Sequence, residues 1–170
     1  MKKVLFLMVL VFVGLASCGE SPDKYNKRAY AVGDSLIRYT DIYFSLADDC
    51  SRMWRSVIFD KTYISPMFGL ESYCSDFNTG IQRYREDIKI LVESYVEKNK
   101  QIDSLFASIK DCPEESVSVF QNIKDLMVIK ESAFNMMNNP EGSYQSYTAN
   151  LNELYSNYKN IKSKIEIDKK

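Results

Sequence analysis

Histidine does not occur anywhere in this 170-residue chain. Its absence removes the commonest general base, every Ser-His and Cys-His nucleophile pair, and any metal site built on imidazole. An excess of one charge is also missing: 22 Lys and Arg against 23 Asp and Glu leave a formal −1. Such a surface offers no basic field for nucleic acid and no acidic tail. There is no glycine-rich phosphate loop, no Gly-x-Ser-x-Gly elbow and no Cys-x-x-Cys pair. Asp48 with Asp49, and Glu114 with Glu115, are adjacent acidic pairs. Neighbours on a helix do not face each other, so these read as a solvated face and a helix-dipole partner, not as metal or acid–base sites. The expectation is a non-enzyme with no catalytic residues, no metal and no cofactor.

What is present begins at the front. Lys2 and Lys3 form a positive patch, and residues 4–13 are an unbroken apolar run closed by Gly14. A lasting transmembrane helix needs about 20 such residues, so this run is too short. Leu15-Ala16-Ser17-Cys18 follows. The whole arrangement resembles the signal peptide and lipobox of bacterial lipoproteins: branched apolar, small, small, Cys. The resemblance covers residues 1–18 only. It implies that the Cys18 sulfur takes a diacylglyceryl group and that cleavage leaves Cys18 as the new N-terminus. Two or three acyl chains hold a protein on a membrane where one does so marginally. The implied division is a cleaved leader (1–17), a lipidated tether (18–22) and a single helical-bundle domain (23–170). By the same resemblance, Gly19 after the lipid site points to the outer rather than the inner membrane of a bacterial cell envelope, facing the periplasm or the exterior. Residues 19–170 carry no motif of a family with an established role.

The four prolines mark out four helices. Ser21-Pro22, Ser65-Pro66 and Cys112-Pro113 each read as an N-cap followed by the first helical residue, where proline's missing N–H costs nothing. Asn138-Asn139-Pro140-Glu141-Gly142 is a turn, with Ser143 as candidate cap of the last helix. Between these marks the apolar residues recur in alternating steps of three and four. The first seam runs from Tyr25 through Leu36, Tyr43 and Cys50 to Val57. The second runs from Leu70 through Tyr84 and Tyr95 to Ile109, broken at Lys98. The last runs from Tyr144 to Ile165. A third, Phe120 to Met137, is looser and more apolar all round. The pattern predicts an all-α, antiparallel up-down bundle of about four helices with coiled-coil-like packing, the first hairpin longer than the second. Little strand is expected. Most tyrosines fall on the seams, which favours a core-rim role over ligand stacking. The Lys-rich segment 159–170 reads as a solvated helix end, with contact to anionic headgroups as the other reading.

Three cysteines remain beyond Cys18. If the first two helices turn near residue 62, Cys50 stands opposite Cys74, as Tyr43 stands opposite Ile81. Cys112 begins the third helix at the far end, beyond disulfide reach. The spacing predicts a bridge between Cys50 and Cys74, with the alternative that both are small buried residues of the seam. On this layout the shorter second hairpin covers only the tether half of the first, and the stretch around 45–80 projects. Arg52, Trp54, Arg55, Phe59, Tyr63 and Phe68 lie there as a candidate interaction surface of hot-spot residue types. The other reading is a small core closing the hairpin. Functionally the expectation is a membrane-tethered, non-catalytic lipoprotein presenting a protein-binding surface. Its partners are the membrane, through lipid on Cys18, and an envelope or extracellular protein. The alternative is small-molecule or lipid binding in a channel lined by Tyr and Met.

Overall fold

A computed structural model describes residues 20–169. The chain enters the first helix, α1 (Pro22–Arg55), as the sequence directs. Ser21 is extended, Pro22 takes the first turn, and Asp23 sits on the positive end of the helix dipole. α1 runs unbroken through Gly33, where a Cβ would stand 2.6 Å from Ile123 Cδ1. That glycine lets another helix approach closely. After Arg55 the backbone widens into one π-helical turn, Ser56–Asp60, and stops at Lys61 in the left-handed region (φ 56°).

The second helix does not follow at Ser65-Pro66. Instead Thr62–Ile64 (β1) pairs antiparallel with Glu71–Tyr73 (β2), in register Thr62 with Tyr73 and Ile64 with Glu71. Thr62, Tyr63 and Ile64 are β-branched or aromatic. Pro66 fits the turn, and Gly69 accepts its positive φ of 65°. Ser65 therefore serves a turn rather than a helix cap: its Oγ accepts the Phe68 N–H. α2 (Phe77–Ala107) starts eleven residues later than Pro66 and is capped by Asp76, which accepts from Thr79 N–H at 2.8 Å. After Pro113 a 3₁₀ turn, Glu114–Ser116, leads into α3 (Val117–Asn138). Ser143 caps α4 (Tyr144–Asp168) in a capping box with Ser146.

The result is an all-α up-down bundle with a small hairpin at one end. The arms of the first helical hairpin, 34 and 31 residues, exceed those of the second, 22 and 25. α1 is central: it packs against α3, α4 and α2, while α3 also packs on α4. α2 reaches α3 through side chains, as where Phe106 stacks on Phe120. Lys130 of α3 is fully buried, with its ammonium bonded to Glu131 and 3.8 Å from Asp103 of α2.

The late start of α2 moves the register of the first hairpin. Opposite Tyr43 stand Tyr95 and Asn99, not Ile81. Val57 packs where a Cβ on Gly80 would sit, 2.9 Å away. Cys50 consequently faces Tyr84, and the expected bridge to Cys74 is absent: both thiols are buried and free. Cys74 lies before α2, held by its N–H to Lys61 O and its thiol to Asp76 O.

Candidate functional site

The hairpin end holds the residues singled out from sequence, and the fold divides them. Trp54 is 1% exposed. It sits between Phe77 and Tyr147, with ring centroids 5.2 and 4.7 Å away. Its indole N–H has no partner among the described residues, so ring burial alone fixes it. Tyr63 is 4% exposed; its hydroxyl donates to Asp87 at 2.7 Å, and Arg83 lies over its ring. These two are core, which corrects their assignment to a contact surface. The reason is the short connection at Pro140 between α3 and α4. It brings Tyr144 and Tyr147 up to the level of Phe59 and Trp54, so the second hairpin covers more of the first than its length suggested.

Phe59, Phe68, Arg52 and Arg55 are exposed. The arginines pair with acids of their own neighbourhood, Arg52 with Asp48 and Asp49, and Arg55 with Asp60 at 3.9 Å. Around Phe68 (69% exposed) stand Leu70 (69%), Tyr73 (75%), Met67 and Ile64, all open to solvent. Residues 62–70 carry no charge. Large apolar side chains gathered in the open are uncommon on the surface of a soluble domain. By sequence Leu70 opens the second helical seam, and both Leu70 and Tyr73 fall within the projecting stretch 45–80. Only a strand–turn–strand reading of Thr62-Tyr63-Ile64 and Gly69 would have placed both outward.

One layer deeper, Cys50 is fully buried between two tyrosines. Tyr84 donates to Leu46 O at 3.1 Å and Tyr147 to Ala47 O at 3.2 Å. Burial pushes the Cys50 thiol up to about 12, so it is neutral and unreactive near neutral pH. The same arrangement recurs along the bundle. Tyr25 donates to Ile109 O, Tyr43 to Asn99, and Tyr158 to Asp41. Burial raises the pKa of each of these phenols. Their rings fill the core while their hydroxyls tie one helix to the next, and Met53 and Met137 are packed among them.

Elsewhere, Lys162 pairs with Asp41 at 3.0 Å and Lys169 with Asp34, so two of the C-terminal lysines brace α4 against α1. Between those helices runs an open groove of about 360 Å³ with Phe44, Leu151 and Tyr155 along it. Cys112 is half-buried at the opposite end of the bundle from the β-hairpin, its thiol donating to Pro113 O. Among the described residues, no group of three or more Cys, Asp or Glu could hold a metal ion. No helix among them is long and apolar enough to cross a membrane. Cys18 and the leader lie outside the described residues. No family model matches the chain, and no curated protein or solved structure is similar enough to match it.

Proposed function

We propose that this protein is a membrane-tethered, non-catalytic lipoprotein of the bacterial envelope, outer membrane rather than inner, that presents its β-hairpin end to a protein partner. The observation that carries the reading is the exposed apolar cluster of Phe59, Met67, Phe68, Leu70 and Tyr73. It stands beyond the C-terminal end of α1, about 50 Å along 34 helical residues from Pro22. Arg52 and Arg55 sit on the flank, and aromatic plus arginine is the usual composition of an interface centre. The lipobox at Leu15-Ala16-Ser17-Cys18 supports the tether.

The test is a cross-linking pull-down from envelope extracts, comparing the wild-type chain with Phe59→Ser/Phe68→Ser. Both side chains are exposed, so thermal stability should hold while a specific partner is lost. An unchanged set of captured proteins refutes the surface. Detergent partition of Cys18→Ala tests the anchor separately, and partition unchanged from wild type refutes it.

A further inference from the structure

Resting on that reading, we propose that the partner docks as an extended polypeptide segment, added as a third strand to the outer edge of β1 in the groove between β1 and α1. The hydrogen-bond pattern defines the edge. Cys74 N–H donates to Lys61 O and Ser65 N–H to Leu70 O. In an antiparallel ladder such pairs alternate, so Tyr63 and Ser72 form the hydrogen-bonded pair between them. Thr62 and Ile64 are then the non-bonded positions, and their N–H and C=O groups point away from β2. None of these four groups has a protein partner among the described residues. On the β2 side the corresponding edge is partly closed, because Arg83 of α2 donates to Tyr73 O at 3.3 Å.

The Ile64 end of β1 adjoins a groove of about 220 Å³, walled by Asp49, Arg52 and Met53 of α1 and by Ile64, Ser65 and Pro66. Met53 is a buried apolar floor. The volume suits one or two side chains rather than a drug-sized ligand. A row of unpaired backbone groups is complementary to another extended backbone, which supplies donors and acceptors at the same spacing. The 65–69 turn is held by its own bonds, Gly69 N–H to Ser65 O and Phe68 N–H to Ser65 Oγ. The edge is therefore preorganised, and an added strand spends little ordering it. Alternate side chains of that strand would face the groove and the exposed apolar cluster in turn.

The probe is a phage-displayed library of twelve-residue peptides, selected on the full chain in detergent. Enriched peptides should alternate apolar residues. Ile64→Pro removes one outward N–H and no ladder bond, so the hairpin stays paired while peptide affinity falls more than tenfold. N-methylation at every second residue of an enriched peptide should abolish binding in one phase and spare it in the other. That arm is independent of whether the proline variant folds. Equal affinity for Ile64→Pro, indifference to N-methylation in both phases, or no enriched peptide overturns the strand-addition proposal. So does uptake of the chain by phosphatidylethanolamine–phosphatidylglycerol vesicles that Phe68→Ser abolishes, which would make the cluster a lipid-facing surface. If Ile64→Pro keeps the envelope partner while Phe59→Ser/Phe68→Ser loses it, the contact surface stands and the strand addition falls. If neither loses it, both fall.

Discussion

Two aromatic clusters lie within a few turns of each other and have opposite fates. Around Cys50, the rings of Trp54, Tyr84 and Tyr147 are buried. Around Gly69, the side chains of Phe68, Leu70 and Tyr73 are bare. Composition does not separate them; backbone does. The first set sits on helices whose inward faces meet other helices, and its tyrosine hydroxyls find carbonyls to bond. The second sits on a strand and a turn that leave these side chains open to solvent among the described residues. An aromatic residue is therefore structural or available according to the element that carries it.

Breaking the buried cluster should cost most. Trp54→Ala removes a ring packed against two others and is expected to destabilise by about 3–5 kcal/mol, read by chemical denaturation. Alkaline titration sharpens the same side. The folded Cys50 thiol stays protonated up to about 12, against 9.0 unfolded. The proton is held more tightly in the folded state, so this contribution is intact below pH 9 and is lost as pH rises through 9 to 12. The buried phenols shift in the same direction and add to the loss. Stability measured against pH should be level below 9 on their account and fall above it. Tyr147→Phe keeps the ring and removes its bonds to Ala47 O and Met136 O, for a loss of about 1 kcal/mol. Phe68→Ser should change stability by less than about 0.5 kcal/mol. A large effect there would mean that the bare cluster is holding the fold, and the contrast between the two regions would fail.

The helices were legible because three-and-four spacing and capping signals agreed. Ser21-Pro22 and Ser143 start helices as read, and the seam residues Tyr25, Leu36, Cys50, Tyr84 and Leu151 are buried. Pro66 was misread because a serine–proline pair opens a turn as readily as a helix. The apolar spacing through Leu70 and Cys74 continued the seam by chance across a strand. That one error displaced the register of α2, paired the wrong cysteines and made the projecting stretch too long. Lys130 is not visible in the third seam, because Phe120, Ile123, Met127, Phe134 and Met137 step over it; Ile123, Phe134 and Met137 are buried as read, but Leu126, Lys130 and Ala133 are buried beside them and Met127 only partly. An inward lysine looks like a gap until Asp103 on the neighbouring helix is known to face it. The candidate surface was half legible. Its location at the hairpin end and the exposure of Phe59 and Phe68 followed from the sequence, but which aromatics turned inward depended on Tyr147 and Asp87, far away in the chain.

The thiols of Cys50, Cys74 and Cys112 stand unlinked in a fully formed bundle. The helices and the hairpin are therefore held without a covalent cross-link among these three, and a reductant should leave the unfolding transition where it stands.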